Sequence, residues 1–110
     1  VFVVNDNNKY LFRLRKDVSF LNKAIIKRKL EEVPENSYVF IDTTRADYID
    51  RDVVETIEDF MIAAPLKNID VELRKSKMKD QGFHGIVTED NGNGFAIIRT
   101  HDKELQKVIH

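Results

Sequence analysis

Four carboxylates, Asp42, Asp47, Asp50 and Asp52, fall within one short stretch that also carries Thr43, Thr44, Arg45 and Arg51. Clustered acids of this kind hold hard, oxygen-loving cations or work as a general acid and base. A calcium loop needs acids at every second position with Gly at the sixth, and the spacing of these four does not match it. The simpler reading assigns Asp50 as the cap of a helix and Asp52 to its first turn, where a negative charge meets the positive end of the helix dipole. The turn Asp90-Asn91-Gly92-Asn93-Gly94 lacks the downstream glutamate of a metal loop and reads as a hairpin turn. No metal site is expected.

Other chemistry is absent from the pattern. The histidines are His84, His101 and His110, none at HExxH spacing, and no hydroxyl residue lies in a GxSxG turn. Neither glycine-rich phosphate cradle occurs, so no cofactor is expected. Without cysteine, disulfide frameworks, thiolate catalysis and Cys-based zinc sites are excluded. No constellation of residues points to catalysis.

Elements must then hold these charges in place. Val1–Val4 and Lys9–Arg15 read as two strands of a hairpin joined by the tetrad Asn5-Asp6-Asn7-Asn8. Asp17 or Ser19 is suited to cap a helix that runs to about Val33, with Phe20, Leu21, Ala24, Ile25, Ile26, Leu30 and Val33 forming a wide apolar face. Tyr38–Asp42 is an unalternating apolar run, the mark of a strand covered on both faces. Residues 43 to 52 then form a charged loop. Val53, Val54, Ile57, Phe60, Met61 and Ala64 form an amphipathic stripe with Glu55, Glu58 and Asp59 opposite, ended by Pro65. Ile69–Leu73 is a further strand, and strand-helix-strand of this length implies a right-handed crossover with parallel pairing. Short strands at Ile86–Thr88 and Phe95–Arg99 and a short helix over residues 102 to 109 complete the chain.

The bulk composition agrees with one soluble globular domain spanning residues 1–110: 42% hydrophobic and 34% charged, with 18 basic against 19 acidic residues. A formal net charge of −1 recruits no nucleic acid by itself. Charge is instead segregated locally. Arg13, Arg15, Lys16, Lys23, Lys27, Arg28 and Lys29 face one acid, Asp17, in their part of the sequence, whereas residues 42 to 59 hold seven acids against Arg45 and Arg51. Lys23, Lys27 and Arg28 thereby define a basic docking face suited to anionic headgroups or to acids of another protein. No apolar run reaches membrane-spanning length. A first residue of Val rather than Met suggests a domain of something longer.

The segments "FRLRKDVSFLNKA" and "IDTTRADYIDRDVVETIEDF", in the order hairpin, helix, strand, helix, strand, resemble the STAS domain. The version they are most similar to is the cytoplasmic end of bacterial SulP-type sulfate permeases. The resemblance covers about residues 9–75; residues 76–110 diverge, with a Gly-containing segment where the family places a third helix. It implies an α/β, STAS-like (anti-sigma factor antagonist) fold: a central mixed sheet of about four to six strands, helices packed on it, and an N-terminal β-hairpin. Stand-alone relatives carry Asp-Ser-Ser-Gly or Asp-Ser-Thr-Gly, with the hydroxyl before Gly phosphorylated. In this chain those four positions are Asp50, Arg51, Asp52 and Val53, so only the Asp is kept and the phosphorylatable hydroxyl is replaced by a carboxylate.

That departure is at odds with a sigma-factor switch and agrees with the transporter version. The resemblance therefore implies a regulatory domain on the cytoplasmic side of the inner or plasma membrane, attached to a multi-helix anion transporter. Its contacts would be the transmembrane domain of its own chain, a second copy or a soluble regulator, through Arg45, Asp47, Asp50, Arg51 and Asp52. The alternative is a stand-alone STAS regulator lacking the phosphorylatable hydroxyl.

Overall fold

The computed structural model describes residues 2–77, 81–83, 89–90 and 95–100. A hairpin opens the chain: β1 (Phe2–Asp6) pairs antiparallel with β2 (Lys9–Val18). Asn7 and Asn8 both take positive φ, 48° and 65°. This is the signature of a two-residue type I′ turn, whose twist matches that of the flanking strands, and Asn tolerates it better than most residues. The connection is thus shorter than the expected tetrad, and β1 runs on into Asn5 and Asp6.

After β2, a 3-10 turn (Phe20–Asn22) leads into α1 (Lys23–Glu31), then β3 (Tyr38–Ile49), α2 (Arg51–Ala63), a second 3-10 turn (Ala64–Lys67) and β4 (Asp70–Ser76). The short β5 (Glu89–Asp90) and β6 (Phe95–Arg99) follow. Together the strands form one six-stranded sheet in the order β1-β2-β3-β4-β6-β5. β2, β3 and β4 run parallel, and β6 is antiparallel to both β4 and β5. The domain is therefore α/β with a mixed sheet.

Each parallel step carries one helix, and α1 and α2 touch, so both lie on the same face of the sheet. Beneath them is the core. Phe12 and Leu14 of β2, Val39 and Ile41 of β3, and Val71 and Leu73 of β4 meet Ile26 and Leu30 of α1 and Val53, Ile57 and Met61 of α2. On the opposite face of β3, Tyr38 and Phe40 are half-buried.

Several sequence-based boundaries change. β3 is 12 residues long rather than ending at Asp42, so residues 43 to 49 are strand and not loop. Two register shifts against β2, between Arg13 and Arg15 and between Lys16 and Asp17, break the alternation of burial along it. That interruption, with polar residues interspersed, disguises the strand in the sequence. Lys16 takes φ 58° at this irregularity. The first helix ends at Glu31, and of its seven apolar positions Ile26, Leu30 and Val33 are buried while Phe20, Leu21 and Ile25 are exposed. The fourth strand is displaced toward the C-terminus: the Ile69 N–H donates back to Ala64 O at 3.0 Å, and the strand starts at Asp70. The expected strand Ile86–Thr88, the turn Asn91–Gly94, the helix over 102 to 109 and all three histidines lie outside the described residues.

Candidate functional site

The junction from β3 to α2 is fixed from three sides. Asp50 takes extended backbone angles (φ −58°, ψ 143°) and its carboxylate accepts a hydrogen bond from the Asp52 backbone N–H at 2.9 Å. Its carbonyl accepts from Val53 N and Val54 N, both at 3.0 Å, starting the helix ladder. Its own N–H donates to Val18 O at 2.8 Å, tying the helix start to the end of β2. Asp50 is the helix cap that its position predicts, and its carboxylate is committed to that bond.

Arg51 projects into solvent and pairs with Glu55 one turn on, at 3.0 Å. Asp52 is exposed in the first turn. Arg45 and Asp47 are exposed on the outer part of β3. Asp47 and Arg51 come together with Tyr48, Glu55, Glu58 and Gln81 around a groove of about 340 Å³ on one flank of α2. Asp52 turns to the other flank. There it lines a groove of about 320 Å³ between α1 and α2 with Lys23, Lys27, Glu55, Asp59 and Lys67. The five residues expected as one loop are thus split by the helix axis, and Arg45 lines neither groove.

The basic face divides as well. Lys23 and Lys27 stand over the acids of α2, so their field is partly compensated, whereas Arg28 is exposed away from that groove. Among the described residues no group of three His, Asp or Glu side chains is placed to hold a metal ion.

Asp42, the first acid of the sequence cluster, is separate from the junction. It is buried on the sheet face away from the helices, 3.7 Å from Arg13 Nε. Its Oδ1 accepts from Thr44 N at 2.9 Å and from the Thr44 hydroxyl at 2.6 Å. Further along the same face, the Tyr38 hydroxyl donates to Glu72 Oε2, and Arg99 Nη2 approaches Glu72 Oε1 at 3.3 Å. Burial, and then the Glu72 carboxylate that accepts its proton, push the Tyr38 pKa well above the ordinary phenol value. The Arg74 guanidinium lies 5.2 Å from the centroid of the Phe40 ring, within cation–π range. Sequence reading missed this row, because Tyr38, Glu72 and Arg99 meet only through strand register.

Gln81 was also missed. β4 pairs with β3 only as far as Asp42, so beyond that point β3 needs other partners on this side. Gln81 supplies them: its Nε2 donates to Thr43 O at 2.7 Å and to Ala46 O at 2.9 Å. The buried Thr43 hydroxyl lies 2.9 Å from Gln81 Oε1 and 3.0 Å from Arg74 O. One side chain thereby holds the irregular half of β3 that leads to the junction. In the sequence it is one more polar residue after Lys75, Lys77 and Lys79.

What the junction offers is fixed charge, held by capping bonds and ion pairs. No helix of the described residues is long and apolar enough to cross a membrane. No protein-family model matches the chain, and the search of curated proteins finds no match.

Proposed function

We propose that this chain is a STAS-like, non-catalytic regulatory and interaction domain of a SulP-type sulfate or other anion transporter, working on the cytoplasmic side of the membrane. The observation that carries the reading is the element order. The order hairpin, helix, strand, helix, strand, in a mixed sheet with helices packed on it, is what the resemblance implies, and the chain's elements follow that order. The junction then serves as a contact surface of constant charge. Asp52 occupies the position of the relatives' phosphorylated hydroxyl, and a carboxylate does not form the stable phosphoester that such a switch needs.

In this reading Arg51, Asp47 and Asp52 present charge to the transporter's membrane domain, to a second copy or to a soluble regulator. Such charges set the register and encounter rate of a contact more than its raw affinity. The gene tests the assignment. Several hydrophobic stretches of membrane-spanning length are expected in the reading frame upstream of Val1. A start codon at or next to Val1 would overturn the transporter assignment in favour of a free-standing regulator.

A further inference from the structure

The stretch from Val18 to Leu30 contains no acid and carries Lys23, Lys27, Arg28 and Lys29. Within it Phe20, Leu21 and Ile25 are 61%, 74% and 46% exposed. Large apolar side chains held in water by ordered backbone call for a partner. The order here is built in. Ser19 and Asn22 form a reciprocal capping box, with Ser19 N donating to Asn22 Oδ1 at 2.9 Å and Leu21 N to Ser19 Oγ at 3.3 Å. Ile26 and Leu30 meanwhile anchor the other side of α1 in the core.

Helical spacing groups the exposed residues. Leu21, Ala24, Ile25 and Arg28 follow at i, i+3, i+4 and i+7, a single stripe turned away from Ile26 and Leu30. At about 100° per residue, Lys27 falls on one flank of that stripe and Lys29 on the other. The result is a convex apolar ridge with Arg28 along it, Lys27 on the flank that also faces the acids of α2, and Lys29 on the other flank, 4.0 Å from Glu32 Oε2. An acidic protein groove would match charge in one direction, whereas a plane of anionic headgroups matches it in all of them. Lys and Arg stems lie along apolar surface while their heads reach phosphate, and apolar side chains between them enter the acyl boundary.

We propose that the ridge formed by Phe20, Leu21 and Ile25, with Lys27, Arg28 and Lys29, docks on the surface of an anionic lipid bilayer. The proposal draws on the transporter reading, which puts a bilayer within reach, yet its physical basis is the ridge itself. Docking would hold the two grooves of α2 in a defined orientation to the membrane plane.

Co-sedimentation of the 110-residue chain with vesicles tests this without any transporter, so its failure leaves the transporter assignment standing, and the converse holds. The chain is expected to pellet with phosphatidylcholine vesicles containing phosphatidylserine and to stay in solution with phosphatidylcholine alone. Replacing Leu21 and Ile25 together by Ser should weaken binding at least roughly tenfold. Lys27→Gln and Arg28→Gln should each weaken it about fivefold, and added salt should do the same. Melting curves of the variants verify folding, and these exposed positions should leave them unchanged. The proposal is overturned by absent binding, by equal binding to neutral vesicles, or by binding that ignores these substitutions. It is likewise overturned if the variants abolish a dimer seen by gel filtration while the wild type ignores vesicles, which would assign the ridge to a second copy.

Discussion

The two helices share one face of the sheet and bury different shares of their apolar residues. α2 buries Val53, Val54, Ile57 and Met61, points Glu55, Glu58 and Asp59 outward or toward the grooves beside it, and leaves Ile62 exposed near its end. α1 buries only Ile26 and Leu30, carries cations outside, and with the preceding turn leaves Phe20, Leu21 and Ile25 in water. Neighbours account for the difference. α2 follows the central strand β3 and precedes β4, so its stripe is buried in the middle of the layer. α1 follows β2, next to the edge hairpin, and has α2 on one flank. A helix placed that way can bury only a narrow arc, and the rest of its apolar surface is left for display.

The sharpest way to break this contrast is to truncate one residue from each helix. Ile57→Ala removes a fully buried side chain and should cost about 2 to 5 kcal/mol by urea denaturation. Ile25→Ala should stay within roughly 0.5 kcal/mol of wild type. Equal losses would show that α1 is core after all. Next in size is Gln81→Ala, which strips hydrogen bonds from the buried end of β3. About 1 to 3 kcal/mol is expected, and hydrogen exchange should quicken along residues 43–49 before the rest of the sheet. Smaller again is Asp50→Ala, a lost cap worth about 1 kcal/mol, with Asp50→Asn retaining most of it.

The smallest effect concerns pH. Tyr38 has a folded-state pKa raised above its unfolded value, so the stability it contributes is complete below about pH 10 and is lost as the pH rises beyond that. Urea melts at roughly pH 9 and roughly pH 11 should therefore show a larger drop for wild type than for Tyr38→Phe. An equal drop would show that Tyr38 does not contribute to the alkaline transition.

Much of this was legible in advance. The stripe of α2, its Asp50 cap, the N-terminal hairpin and the parallel step from β3 to β4 follow from local rules of periodicity, capping and connection. The misreadings have a common cause in non-local partners. β3 continues through charged residues because its register shifts against β2 and because Gln81, distant in sequence, satisfies its carbonyls. The apolar arc of α1 looked like core because a sequence does not state how many helices share a layer. Asp42 looked like a companion of Asp50 and Asp52. Strand direction instead places it beside Arg13 on the opposite face.

The candidate site divides along the same line. Asp50 belongs to the structure, and its substitution should be read in stability. Arg51 is different: its side chain is 86% exposed and its ion pair to Glu55 is of a surface kind that contributes little. If the junction is a contact surface, the two residues should separate function from folding.

Anion flux through the transporter that the proposed function assigns to this domain, carrying Arg51→Glu and measured beside the melting of the 110-residue chain with the same substitution, tests that claim most directly. The account predicts a clear change in flux with a melting temperature within about 3 °C of wild type. Unchanged flux accompanied by a large fall in melting temperature would contradict it, and would make Arg51 a structural residue of the fold.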